Sequence, residues 1–305
     1  MAPTTMKAFM QIEKEGLDNF VLKEVPTPQP AADQVLIQVR AAALNPVDLK
    51  RGHLNEEYPI VVGYDVAGIV VAIGEAVQNV SVGDRVFGDI MRDSMGSKFS
   101  GTVAEYCVSP ADLVFPIPDN TTFEQAAALP VAALTAIQCF EYCSCKEGDN
   151  VFISGGAGGV GIHALQIAKH VFKAGSVATT ASSAKFDFVR QYGADVIVDY
   201  RNEDVAQKLK GWADVVLDCV GDVEAAQQVV KPDGKMSTIV DGSSSSFQML
   251  KPTNALMQKL ASLLEEGKVS TVIDTVYPLD QAQEALKNLA GGRAKGKFVI
   301  TVSSK

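Results

Sequence analysis

The stretch Asp149-Asn-Val-Phe-Ile-Ser-Gly-Gly-Ala-Gly-Gly-Val-Gly-Ile-His-Ala-Leu-Gln-Ile-Ala-Lys-His170 constrains the fold more than any other part of the sequence. An apolar strand-like run enters a knot of glycine, and a helical apolar pattern leaves it. Gly156, Gly158 and Gly161 satisfy G-x-G-x-x-G between a predicted strand and a predicted helix, the context that gives the motif meaning. In that context Gly156 permits the tight turn, Gly158 lets the backbone approach a pyrophosphate, and Gly161 allows close helix–strand packing. The helix N-terminal amides then face an anion. Gly156, Ala157, Gly158, Gly159, Val160 and Gly161 are therefore the first expected cofactor contacts.

The surrounding pattern agrees. From Asn150 to Lys268 the chain alternates predicted strands (NVFIS, SVATT, DVIVDY, DVVLDCVG, KMSTIV) with helices near 160–172, 184–192, 203–210 and 222–231. This is a doubly wound α/β pattern with a parallel sheet. Residues 1–120 instead read as short strands broken by glycine and proline, as in VPTPQPAAD and SVGDRVFGD, which suggests a small β-rich domain. Between them, Thr121 precedes Glu124 by the spacing of a capping box, and Pro130 should split the helical run that follows. The tail reads as a helix, a Gly-rich turn and a last strand that returns to the β domain. The low-complexity patch Asp241–Phe247 reads as a loop.

The residues after the glycine turn select the cofactor. An NAD site places an acid about 20 residues on, at the end of the second strand. Here that place holds Thr180, Ala181, Ser182 and Ser183, followed by Lys185. Hydroxyls and an ammonium suit a 2′-phosphate, so NADPH is expected rather than NADH. Taken alone, Lys185 also fits a solvated helix-start lysine.

Composition narrows the class. The formal charge of −9 and the lack of a basic run argue against nucleic acid or an anionic membrane as partner. No apolar run has the length of a transmembrane segment, and the N-terminal residues do not read as a secretory signal. Five scattered cysteines, Cys107, Cys139, Cys143, Cys145 and Cys219, point to a reducing compartment. Cys143-Ser144-Cys145 lacks metal-site spacing and a second pair, so no metal is expected there. His163 and His170 read as structural, since the i, i+4 spacing of a helical metal pair is absent. His53 lies in a loop that either lines the substrate mouth or is simply exposed. No Ser-His-Asp triad is suggested.

Together with the glycine turn, AAALNPVDLKRG (41–52), VVGYDVAGIV (61–70), GDRVFGD (83–89) and GTVAEY (101–106) give the chain a resemblance to the medium-chain dehydrogenase/reductases. More narrowly it resembles the zinc-free quinone oxidoreductase branch, including the plant-type enone and alkenal reductases and the chloroplast-envelope quinone oxidoreductase homologue. The resemblance implies an α/β chain of two domains. A GroES-like catalytic domain takes residues 1–124 and 270–305, a Rossmann domain takes 125–269, and the active site lies in the cleft.

The resemblance also implies hydride transfer from NADPH to an enone, enal or quinone, by a homodimer or a monomer. The expected location is cytoplasmic, with the chloroplast as alternative, reached without a cleavable peptide. Asn45 and Gly63-Tyr64-Asp65 stand where zinc alcohol dehydrogenases carry a Cys ligand and Gly-His-Glu. That moves the chemistry from alcohol oxidation toward acceptors that need no Lewis acid. A NADPH-binding structural or sensing protein with little turnover is the alternative of another class.

The resemblance assigns Ser182, Lys185 and Tyr200 to the 2′-phosphate or adenine side and places Asn45 and Asp48 near the nicotinamide. Ser183, Val220, Gly221, Val240 and Lys297 complete the expected cofactor set. Tyr64 is the candidate for bonding the developing oxyanion or relaying a proton; packing in the cleft floor is the competing reading. Asn45-Pro46-Val47-Asp48 is also a good turn by itself, and Tyr200 equally reads as a strand-edge aromatic.

Overall fold

The computed structural model describes residues 2–14, 16–50, 58–91 and 100–302. His53 and most of the 90–100 segment lie outside these residues. The chain forms two compact units. The first comprises Met1–Val131, Lys251–Ser262 and Thr271–Lys305; the second comprises Ala132–Leu250 and Leu263–Ser270.

The first unit is built on strands β1 (Thr5–Gln11), β2 (Phe20–Pro26), β3 (Gln34–Leu44), β4 (Ile60–Val61), β5 (Asp65–Ile73), β6 (Arg85–Asp89), β7 (Tyr106–Pro110) and β8 (Val114–Pro116). β1 pairs antiparallel with both β2 and β4. β3 is the organising strand of a larger sheet and pairs antiparallel with β5 and β7. Its alternating Val35, Ile37 and Val39 are buried in the core with Val66, Val70 and Val86. This follows from the period of two in a strand that presents one face to a core.

The helical run after Asp119 is split as the proline requires. One helix spans Phe123–Ala127, and a second begins with Pro130 and runs to Tyr142. Pro at a first helical position removes only an amide that has no intrahelical partner. The capping box, however, is formed one residue later than the sequence spacing suggested. Thr122 Oγ1 accepts the Gln125 amide at 3.2 Å, and Gln125 Oε1 accepts the Thr122 amide at 3.0 Å. Both frames have the required spacing; the observed one places Ala126 and Ala127 in the buried interior. Phe123–Tyr142 is the one helical stretch among the described residues long and apolar enough to cross a membrane, and 78% of its apolar window is buried inside the protein.

The second unit carries β9 (Asn150–Ile153), β10 (Ser176–Ala181), β11 (Val196–Asp199), β12 (Ala213–Asp218) and β13 (Val230–Thr238). They form a parallel sheet in the order β11-β10-β9-β12-β13. Helices Gly159–His170, Phe186–Gln191, Val205–Lys208 and Val223–Val229 lie between successive strands. β13 begins earlier and ends earlier than its sequence pattern suggested, because Pro232-Asp233-Gly234 is carried within the strand. The ladder to β12 shifts register between Ala213 and Val215 to accommodate it. Phe152, Val198, Val216 and Val229 form part of this unit's core.

The chain then returns to the first unit with β14 (Ile273–Pro278) and β15 (Lys297–Thr301). β15 pairs antiparallel with β3, placing Phe298 opposite Leu44.

Candidate functional site

Within the second unit, the sheet order reverses between β9 and β12, which makes their carboxyl ends a topological switch point. The glycine turn closes β9 there. The positive φ falls on Gly155, at +70°, and not on Gly156. Gly156 is small for a different reason: a Cβ there would stand 2.2 Å from Thr179 Oγ1 on the neighbouring strand. A Cβ on Gly161 would stand 2.3 Å from the Gly155 carbonyl oxygen, so the helix start rests directly on the turn.

Gly158 differs from both. A Cβ there would meet only the Gly155 carbonyl, at 3.4 Å. Packing within the protein therefore does not require glycine at Gly158; a ligand approaching the backbone would. Gly158 is also the N-cap of helix Gly159–His170, and no side chain caps it. A phosphate suits such an end, because the first-turn amides have no intrahelical acceptors.

Buried Asp218, at the end of β12, holds the switch point together. It accepts Ser154 Oγ at 2.7 Å and Thr238 Oγ1 at 2.8 Å, and also the amides of Val220 and Gly221. Sequence reasoning passed over this residue. Val220 and Val240, 55% and 39% exposed, flank the turn as apolar surface, and a Cβ on Gly155 would touch Val220.

The 2′-phosphate candidates gather at the ends of β10 and β11. Ala181 pairs with Asp199, so Ser182 and Tyr200 follow on neighbouring strands. Ser182 is buried, Ser183 is exposed, and Lys185 is half-buried in the short helical turn Ser183–Lys185. Thr180 is used otherwise: its Oγ1 accepts the Gly155 amide at 2.8 Å. Tyr200 is exposed, and the Arg201 guanidinium carbon lies 5.8 Å from its ring centroid. Arg201 is a second cation at this end that the sequence reading did not single out. The acid at the end of β11, Asp199, is occupied by the Arg201 amide and the Asn202 side chain. These residues fit a phosphorylated dinucleotide.

His163 is buried, with Nδ1 2.7 Å from the Gly159 carbonyl, and so braces the same helix. His170 ends the helix and is exposed.

The first unit holds a buried polar group built by its strand register. Asn45 follows Leu44, and Lys297 precedes Phe298, on the paired strands β3 and β15. Lys297 Nζ donates to Asn45 Oδ1 and, at 3.2 Å, to Asp65 Oδ2. Asn45 Nδ2 donates to the same Asp65 oxygen at 2.8 Å. Asp65 Oδ1 accepts the Val131 amide at 2.7 Å. Burial raises the Asp65 carboxyl above its usual range, and Lys297, Asn45 and the Val131 amide pull it back. Asp48 accepts the Asn45 amide at 2.7 Å and is itself fully buried.

Two sequence expectations change here. Lys297 belongs to this buried group, in the first unit, and not to the glycine turn. Tyr64 is buried with none of its surface exposed. Among the described residues, no group of three or more His, Cys, Asp or Glu could hold a metal ion.

A dinucleotide-type parallel sheet joined in one chain to an antiparallel β unit is the make-up of a two-domain dehydrogenase. Comparison with known proteins agrees. The GroES-like domain of alcohol dehydrogenases matches residues 31–119, and the family described as zinc-binding dehydrogenase matches residues 192–300. The chain belongs to the medium-chain dehydrogenase/reductase superfamily, in its quinone-oxidoreductase branch.

It is 40% identical to 2-methylene-furan-3-one reductase of Solanum lycopersicum, over 98% of this chain and 79% of that protein. It is 37% identical to the NADPH-dependent alkenal/one oxidoreductase, chloroplastic, of Arabidopsis thaliana, over 98% and 80%. Among solved structures, the quinone oxidoreductase from Coxiella burnetii matches with a TM-score of 0.89 and 30% identity, covering 98% of this chain and 100% of that one. A mycobacterial protein complexed with NADPH matches with a TM-score of 0.83 and 26% identity, covering 97% and 99%.

Proposed function

We propose that this protein is an NADPH-dependent reductase of the C=C bond of α,β-unsaturated carbonyls, working without a metal. The observation that carries the cofactor is Gly158, glycine where internal packing does not require it, beside a strand end with hydroxyls and Lys185 in place of the usual acid. The reaction is that named for two of its relatives, a methylene-furanone reductase and an alkenal/one oxidoreductase.

The turn amides at Gly159 to Gly161 hold the pyrophosphate. Ser182, Ser183 and Lys185, with Tyr200 and Arg201, hold the 2′-phosphate and adenosine end. Val220, Gly221 and Val240 give the apolar edge. When bound, NADPH supplies the hydride.

The chain's part is positioning and exclusion of water. A conjugated carbonyl needs no Lewis acid, because the incoming charge delocalises onto oxygen. Asn45, with Asp48 bracing its turn, faces the reactants. Tyr64, wholly enclosed, is assigned to packing, and proton delivery to solvent. The residues at the zinc-ligand places are engaged with a lysine: Asn45 and Asp65 both bond Lys297.

The test is the fate of deuterium from labelled NADPH. With an enone or enal, label at the β-carbon of a saturated carbonyl supports the reading. Label at the carbonyl carbon of an alcohol refutes it.

Quinone reduction is the second reading, favoured by relatives so named in Spinacia oleracea and Sus scrofa, each 31% identical. Assaying both substrate classes against NADPH consumption ranks the two, and absence of turnover with either leaves a binding or sensing protein. The substrate is a small molecule, and the protein works as a monomer or homodimer in a reducing compartment, cytoplasm or chloroplast. The chloroplast is named for the Arabidopsis and spinach relatives. All five cysteines are free.

A further inference from the structure

Lys297 is only 3% exposed and is paired with an Asp65 that is fully buried. Such a pair is a poor way to stabilise a fold. Removing two ions from water offsets most of their attraction, and apolar residues of similar volume often serve as well or better. The strands around it need no lysine either: Phe298, Val299 and Ile300 on β15 are ordinary core residues.

What the pair does impose is orientation. A buried amide side chain can usually exchange its oxygen and nitrogen by a half-turn. In Asn45 that turn is forbidden at both ends. Its oxygen receives the Lys297 ammonium, and its nitrogen donates to the Asp65 carboxylate. A half-turn would set an NH2 against the ammonium and an oxygen against the carboxylate. Asp65 is in turn fixed by the Val131 amide, and the Asn45 backbone by Asp48. Asn45 thus has one orientation, with a fixed cation beside it in a dry setting, where a charge acts more strongly than in water.

We propose that Lys297 and Asp65 are positioning residues of the reductase reaction, locking the Asn45 amide and the ammonium beside it in one geometry. This rests on the reading of the chain as a NADPH-dependent reductase. It assigns Lys297 to the reacting end, in place of the phosphate contact that a lysine in the final strand first suggests. No bond is made or broken by the pair.

The experiment uses full-length protein and compares wild type, Lys297→Arg, Asp65→Asn/Lys297→Met and Asn45→Ala. The double variant removes both charges together, so no lone ion is left buried. For each, kcat with an enone, the Kd for NADPH and the melting temperature are measured. The double variant is expected to melt near wild type and to bind NADPH within about threefold, while kcat falls by about thirtyfold or more, the scale of a lost alignment. Adding Asn45→Ala to the double variant should then cost little more, because the two changes remove one shared geometry. Lys297→Arg should recover part of kcat.

A double variant with wild-type kcat would reduce the pair to a structural element. NADPH binding weakened tenfold with kcat unchanged would return Lys297 to the cofactor. Failure of wild type to reduce enones or quinones would sink the reductase reading itself and the positioning role with it. An unaffected kcat in an active enzyme sinks the positioning role alone.

Discussion

Asp65 and Asp89 stand directly opposite each other on β5 and β6, and both are fully buried. Asp89 Oδ1 accepts the Met91 amide at 2.7 Å, whereas Oδ2 has no partner among the described residues. Burial first, and then the Asp65 and Asp48 carboxylates, push Asp89 well above the usual range; the Met91 amide and Lys297 oppose them. Asp89 therefore keeps a proton that the unfolded chain releases. A carboxyl raised in this way binds more protons folded than unfolded. Its contribution is full below the unfolded pKa and is lost as pH rises toward the folded value.

Asp89→Asn mimics the protonated acid at every pH. Relative to wild type it should gain stability as pH rises from 5 to 8, by about 1.4 kcal/mol for each unit by which the folded pKa is raised within that window. Urea melts at several pH values check this. Parallel stability curves for the two proteins would show that Asp89 is ionised in the fold.

Lys185→Ala should weaken NADPH binding by roughly ten- to hundredfold, as expected for one charge-assisted bond of about 1.5–3 kcal/mol. NADH should be nearly unaffected. Arg201→Ala should act in the same direction, since it shares that end of the sheet with Ser182. Titration with both nucleotides decides the matter; equal losses for the two would place Lys185 away from the 2′-phosphate.

The glycines of the turn should separate stability from binding. A Cβ on Gly161 meets a backbone oxygen at 2.3 Å, so Gly161→Ala should destabilise the fold by about 1–3 kcal/mol, the cost of overpacking, and lose the nucleotide too. A Cβ on Gly158 meets only ordinary contact, and its φ of −81° suits alanine. Gly158→Ala should melt close to wild type and still bind NADPH at least about tenfold more weakly, because the backbone there can no longer approach a phosphate. Thermal melts and nucleotide titrations on the same samples test the contrast. Unchanged affinity in Gly158→Ala would detach the turn from the cofactor.

An enzyme that handles enones and enals meets compounds that alkylate thiols. Cys107, Cys139, Cys143 and Cys145 are buried. Burial pushes Cys139 and Cys145 up to about 12 and Cys143 to about 11, and raises Cys107 further. Since the thiolate is the nucleophile, native protein incubated with an excess of enal should show no adduct at these four by intact mass, while protein unfolded in guanidine should take one at every cysteine. Rapid native modification at any of the four would contradict the burial.

The sequence by itself determined what depends on neighbours along the chain. The glycine turn, the strand and helix around it, the alternation of β and α, and the acid-free end of β10 all lie within short segments, where periodicity and backbone freedom are legible. Even there, side-chain packing set the details. Gly155, and not Gly156, takes the positive φ, because the Gly156 site is crowded by Thr179 from the next strand. Thr122 caps in place of Thr121, because burial of Ala126 and Ala127 fixes the helix phase.

Only the tertiary structure decided the buried group. Asn45, Asp65 and Lys297 come from three separate strand ends, and only the registers of β3 with β5 and with β15 bring them together. Read as a sequence, Lys297 is a lysine near a strand start, with the charge of a phosphate ligand. Its role is fixed by a carboxylate and an amide more than 200 residues away along the chain. The strength of a charge depends on what surrounds it in space, and local sequence carries no record of that.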